Sequence, residues 1–341
     1  MKQRLCALLL AAVCMLSGCG GGWKQAQSQI FAMDTIMTLS LPYQGSEESA
    51  QEILSGLGSM VQELEKNLSV TREDSEIHKL NENGGQKTTL SPETAKLLSD
   101  TLTLCERTGG KLDITAYSAV KAWGFTTGEY RIPSEEELKA LSENIDYTKL
   151  NVEGDSITLP KGMQLDLGAV AKGYAGEQLA QSLREQGIEY ACLNLGGNVQ
   201  TVGSKPDGTP WRIGVQDPET GAALGIVEVS DMAVVTSGNY QRYFEENGQR
   251  YWHILDPDTA SPARSGLSGV TVITRSGLLA DGLSTALFVM GLEEGHAHWQ
   301  EYRDFEAVFL TDDGEVYITA GLKDSFSLAE GFEDREVTVL E

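Results

Sequence analysis

The chain has 341 residues and carries 50 acidic against 26 basic side chains, a formal net charge of −24. A chain this acidic repels nucleic acid and anionic lipid surfaces, so polyanion binding is excluded as its main work. If it handles a polyphosphate, the site itself must supply the cation.

In chain order the first predicted element is a leader. Lys2 and Arg4 precede an apolar run from Leu5 to Leu16, too short to span a bilayer comfortably, and Leu16-Ser17-Gly18-Cys19 closes it with small residues. This predicts a bacterial lipoprotein signal over residues 1–18, with Cys19 as the lipid-bearing residue. An ordinary secretory signal cut nearby is the alternative, and either one exports the protein. The expected location is the outward face of the cell membrane, held there by the lipid anchor. Removing residues 1–18, which carry two basic and no acidic side chain, takes the net charge to −26. Residues 19–29 are rich in glycine and glutamine and read as a flexible tether. Cys105 and Cys192 then remain, both among apolar neighbours, and are expected as buried thiols, with pairing between them left open.

Residues 30–341 show no repeat, no second membrane-length run and no Pro- or Ser-rich break, which predicts one catalytic unit of two lobes. Phe31 to Leu41 alternates as a strand. Ser46 opens a helix whose apolar positions from Ala50 to Leu68 keep a helical period. Ser91 and Pro92 start a second helix that Gly109-Gly110 ends, and Ser134 with Glu137 forms the capping box of a third. From Glu189 on, short strands follow one another: Tyr190–Leu195, Trp211–Gln216, Gly225–Val229, Ala233–Ser237, Tyr251–Leu255, Gly269–Thr274, Ala307–Leu310 and Val316–Thr319. Their short connections favour antiparallel pairing, so the predicted class is α+β, a mostly antiparallel sheet core with flanking helices.

Two stretches carry the chemistry. In Leu165-Asp166-Leu167-Gly168-Ala169-Val170-Ala171-Lys172-Gly173-Tyr174-Ala175 a strand-like approach enters a helix that Gly187 stops. Free amides at such an entrance favour an anion, although the same joint also serves plain packing. In Ala280 to Gly291, Asp281 and Thr285 are four residues apart and share one helix face. A carboxylate beside a hydroxyl suits a hard cation, whereas the alternative is a capping aspartate and a back-bonding threonine. Of the four histidines, His253 stands apart, where a strand runs into Asp256-Pro257, as either a structural residue or a proton acceptor.

Nine segments in order resemble the ApbE family of FAD:protein FMN transferases. They are Phe31-Ala32-Met33-Asp34-Thr35, Arg72-Glu73-Asp74-Ser75-Glu76 with Leu80-Asn81, Leu112-Asp113-Ile114-Thr115, Trp123-Gly124-Phe125, the 165–175 stretch, Asn194-Leu195-Gly196-Gly197-Asn198, Thr236-Ser237-Gly238-Asn239-Tyr240, His253-Ile254-Leu255-Asp256-Pro257 and Ala280 to Ala286. The resemblance implies a flavin cleft between the sheet core and a smaller lobe. It implies Mg²⁺ held by Asp281, Thr285 and the backbone oxygen of Ala169, with FAD as substrate. Met33 would line the flavin, Asp113 the adenosine side, and Asp166 and Lys172 the nucleotide. Gly196, Gly197, Ser237 and Gly238 would let backbone approach the ligand, and His253 would be the base. The partners implied are exported FMN-binding-domain proteins, modified on threonine or serine with release of AMP. An FAD pyrophosphatase and a non-catalytic FAD-binding lipoprotein are the competing readings. One departure is Thr71, where relatives often have an aromatic residue to stack on the flavin.

Overall fold

The computed structural model describes residues 22–341, so the leader and Cys19 lie outside the described residues. Its centre is a nine-stranded sheet in the order Lys24–Ala32, Thr35–Tyr43, Ala191–Asn194, Asn198–Val202, Ala233–Gly238, Leu267–Thr274, Glu306–Thr311, Val316–Thr319 and Val337–Leu340. Every neighbouring pair is antiparallel except the last, which is parallel. The α+β expectation and the antiparallel core hold.

One face of this sheet is covered by helices. Glu47–Leu68, Ala171–Glu185 and Gly277–Tyr302 pack against it, Pro92–Arg107 packs on Gly277–Tyr302, and together they form the largest core. The predicted caps are present: Ser46 accepts from Ser49 N–H, Ser91 from Thr94 N–H and Ser134 from Glu137 N–H. Glu137 itself turns to Arg131, so the reciprocal half of the box is not made. Part of the opposite sheet face packs on a three-stranded sheet of Trp211–Gln216, Ala223–Val229 and Phe326–Leu328, where Trp211, Val215 and Val227 meet Val234 and Val308. A third, aromatic-rich cluster of Trp123, Phe125, Phe244 and Leu255 makes the smaller lobe. Cys105 and Cys192 are both buried, and neither is in a disulfide.

Two expectations at the N-terminal end need correction. The single strand from Phe31 to Leu41 is two strands, Lys24–Ala32 and Thr35–Tyr43, turning at Met33 and Asp34. Both turn residues have positive φ, 49° and 59°, as a two-residue hairpin turn with the right twist demands. Neither is glycine, and Met33 N–H is held by Glu65 Oε1 at 2.8 Å, which helps fix the turn. The tether read over 19–29 is likewise too long, because Lys24 to Gln29 are paired strand. Its polar side chains line the exposed face of an edge strand, which imitates a linker in composition.

Candidate active site

The two chemical stretches meet because two helices come unusually close. A Cβ on Gly173 would lie 2.1 Å from the carbonyl oxygen of Gly277, and one on Gly277 would lie 2.2 Å from that of Gly173. Glycine at both positions therefore lets the helix Ala171–Glu185 touch the long helix Gly277–Tyr302 through backbone. The contact places Gly173 N–H 2.7 Å from Asp281 Oδ2, so the carboxylate receives an amide from the first turn of the other helix. The long helix breaks at Gly291 (φ 82°, ψ −177°), beyond the chemical residues.

Around Asp281 the groups are oxygen-rich. Ser237 Oγ is 2.8 Å from Ser284 Oγ and 3.3 Å from Thr285 Oγ1, which ties the strand Ala233–Gly238 to the same helix face. Burial raises the Asp281 pKa above the ordinary carboxylate value, against the opposing pull of Lys172, the amide of Gly173 and the side chain of Asn198. The buried amide nitrogen of Asn198 has no hydrogen-bond partner of ordinary length. Hard oxygens on Asp281 and Thr285, with Ala169 on the wall of the same cleft, fit Mg²⁺. Among the described residues no group of three or more His, Cys, Asp or Glu is placed to hold a metal, so a cation here would rest on one carboxylate and neutral oxygens.

The entrance to the helix Ala171–Glu185 is built as the sequence suggested, without the strand. Gln164 makes an isolated bridge to Ala116, and the chain then turns through Asp166, whose Oδ1 accepts from Gly168 N–H at 2.8 Å. Burial raises the Asp166 pKa, while the Gly168 amide and the charge of Arg242 act the other way.

His253 approaches from the smaller lobe. Its Nδ1 lies 3.2 Å from the backbone oxygen of Arg242, so Nδ1–H donates and Nε2 is left as the basic nitrogen. Burial, with repulsion from Arg242 and Lys172, lowers its pKa to about 4. His253 is therefore neutral across the physiological range and is a weaker base than a free imidazole. Arg242, absent from the predicted set, donates from Nη2 to Phe125 O at 2.5 Å and stands 3.9 Å from Asp34 at the hairpin turn. It thus spans the smaller lobe and the main sheet, four residues after Gly238.

Asp34, Asp166, Lys172, Arg242, His253, Asp281 and Thr285 share one cleft of about 2260 Å³, as do Met33, Asp113, Ala169, Gly196, Gly197 and Ser237. Met33 and Asp113 differ from expectation in detail, and Gly238 does not line the cleft. Met33 stands at the hairpin turn, where the sequence placed a strand. Asp113 points its carboxylate at its own loop, accepting from Thr115 N–H and Oγ1–H and from Tyr147 N–H at 2.6–2.9 Å, and burial raises its pKa. Gly238 is small for another reason: a Cβ there would lie 2.4 Å from the Tyr240 ring, so a side chain is excluded by that ring. Gly196 makes room for the hairpin, since its Cβ would lie 2.2 Å from Thr35 Oγ1, whereas Gly197 (φ 100°) has open space before it. Thr71 lines the cleft and bonds to Ser69. The missed residues are Asn198, inside a segment the sequence had marked, Arg242, which lies between marked segments, and Gly277, which no local pattern distinguishes.

The cleft thus lies between the sheet core and the smaller lobe, with Asp281, Thr285 and Ser237 coming from the core side and His253 from the lobe side. The ApbE family model matches residues 33–309, and the chain belongs to that family. Among its relatives, the FAD:protein FMN transferase of Vibrio cholerae is 32% identical over 84% of this chain and 88% of its own length. That of Treponema pallidum is 32% identical over 92% of this chain and 93% of its own. Of the solved structures, the ApbE protein of Thermotoga maritima superposes with a TM-score of 0.82 at 29% identity, covering 88% of this chain and 98% of that one. The flavin transferase ApbE of Vibrio cholerae gives 0.80 at 30%, covering 89% and 99%.

Proposed function

We propose that this chain transfers FMN from FAD to a threonine or serine hydroxyl of exported FMN-binding-domain proteins and releases AMP. The observation that carries this reading is the convergence of Asp281, Thr285, Lys172, Arg242 and His253 on one cleft, in a chain whose relatives are named FAD:protein FMN transferases. The reaction forms a bond from the acceptor oxygen to the phosphorus on the riboflavin side. The pyrophosphate bond breaks, and AMP leaves with the electron pair.

Such a displacement is catalysed mainly by positioning and charge neutralisation. Asp281, Thr285 and the Ala169 carbonyl would hold Mg²⁺, which supplies charge neutralisation on the phosphate oxygens when bound. Lys172, in the first turn of the helix Ala171–Glu185, and Arg242, on the wall of the same cleft, donate to the pyrophosphate and fix its orientation. His253 Nε2 accepts the acceptor's hydroxyl proton while Arg242 O holds Nδ1–H and so the ring orientation. A bound pyrophosphate offsets the repulsion from Arg242 and Lys172, which makes His253 a better base in the complex.

The anchor belongs to the same proposal. Cys19 carries lipid and keeps the enzyme on the outward membrane face, where exported acceptors arrive. Incubation of the chain with FAD, Mg²⁺ and a purified exported FMN-binding-domain protein tests the reading by intact mass. An acceptor heavier by FMN less water supports it. Free FMN and AMP without an adduct identifies a pyrophosphatase, and unchanged FAD identifies a binder.

A further inference from the structure

We infer that the outward face of the N-terminal hairpin at its Met33-Asp34 end, centred on Phe31 and Ile36, is the docking surface for the acceptor protein. This inference rests on the transferase reading. Phe31 and Ile36 are cross-strand partners, 71% and 57% exposed, and they are the two most exposed of the large apolar side chains among the described residues. Side chains at such paired positions stand side by side on one face, so they make one patch. The opposite face of the hairpin is buried through Ala26, Ala32, Met37, Leu39 and Leu41.

Four observations say what covers this patch. Phe31 and Ile36 line the same cleft as Asp281 and His253, so an occupant seated on them is continuous with the reacting centre. The cleft volume of about 2260 Å³ also far exceeds the roughly 300–1,000 Å³ that a pocket for one small molecule needs. The surplus is room for polypeptide. Next to the apolar pair on the same face, the exposed amides of Gln27 and Gln29, which donate to Ser40 and Thr38, are suited to an extended peptide backbone. Lys24–Ala32 is moreover an edge strand of the nine-stranded sheet.

With the anchor proposed at Cys19, the patch is poorly placed for the membrane. Trp23, where the chain enters the fold, packs edge-on against Tyr190 at 5.3 Å. Phe31 lies eight residues further along extended strand, roughly 26 Å away at about 3.3 Å per residue. A protein partner fits this separation, since the anchor then leaves the patch clear of lipid.

The test places a photoreactive benzoylphenylalanine at position 31 of the full-length chain, in membranes, with FAD, Mg²⁺ and an exported FMN-binding-domain protein that the wild-type chain modifies. Irradiation should give an adduct with that protein, and the same probe at Tyr302, outside the cleft, should give none. An adduct with lipid, with FAD or with a second copy of this chain, or no adduct at all, overturns the assignment. In parallel, Phe31→Ser with Ile36→Ser should raise the KM for the acceptor about tenfold or more, with kcat and FAD affinity nearly unchanged. An unaltered acceptor KM overturns docking here while leaving the transferase reading intact. If the wild-type chain modifies no exported flavoprotein, the transferase reading fails first and this inference falls with it.

Discussion

The two walls of the cleft are built on different terms. On the Asp281 side, two helices touch through Gly173 and Gly277, with Asp281 5% exposed and bonded to an amide of the neighbouring helix. On the His253 side, the histidine hangs from a small lobe whose core is a handful of rings, with Phe244 stacked against Tyr130 and Tyr251 at 5.0 and 5.2 Å. The first wall is rigid by backbone contact and defines where charge is held. The second is joined to the main sheet through side chains such as Arg242, so it can tolerate change without loss of the fold. Cation site and base are therefore separable, and substitutions should reveal it.

The largest effect is expected at the rigid wall. Gly173→Ala puts a methyl group 2.1 Å from Gly277 O, so the helices must part, at a cost of about 3 kcal/mol or more. Thermal unfolding should show a clear fall in Tm together with lost turnover. A variant with wild-type Tm and rate would contradict the backbone-contact account.

Asp281→Asn keeps the shape and removes the charge. It should lower the transfer rate by on the order of a hundredfold, about 3 kcal/mol in the barrier, with the fold intact by circular dichroism. Wild-type turnover in excess chelator, or in this variant, would rule out a cation at Asp281.

A smaller effect concerns pH. A base works only when neutral, and burial with two nearby cations lowers the His253 pKa to about 4. Since kcat/KM reports groups of the free enzyme, kcat/KM for FAD should stay level as pH falls from about 8 to about 5 and decline below that as the ring protonates. A decline centred near the ordinary imidazole value, removed by His253→Ala, would show that the ring is more solvated than the structure makes it.

The smallest expected change in rate is at Cys19. Cys19→Ala should leave detergent-solubilised turnover unaltered and move most of the protein from the membrane to the soluble fraction. Membrane attachment that survives, with an unmodified residue 19 by mass, would exclude the anchor.

The unequal legibility of the sequence follows the same division. Helices with a Ser cap and a steady apolar period were readable, and so were strands such as Trp211–Gln216 and Val316–Thr319, because their signals are local. The first hairpin was not, since its turn uses Met33 and Asp34 in place of the usual Asn-Gly pair and its edge strand is polar. Asp281 and Thr285 announced a shared helix face, but what brings Gly173 to them is a contact between residues more than a hundred apart. Arg242 and Asn198 were hidden because neither residue type is diagnostic until burial and neighbours are known. His253 stood apart by its place before Asp256-Pro257, but only the resemblance made it the base, and its lowered pKa comes from burial together with Arg242 and Lys172, which the fold alone brings near.

The measurement that bears most directly on the account is single-turnover transfer by His253→Ala beside its equilibrium affinity for FAD in Mg²⁺. Separable walls predict FAD binding close to wild type and acceptor modification slowed by about 10²–10⁴-fold, the usual worth of a general base. A variant that binds FAD poorly yet transfers normally at saturating FAD would make His253 a ligand contact, and one that keeps both affinity and rate would leave the cleft without the base assigned to it.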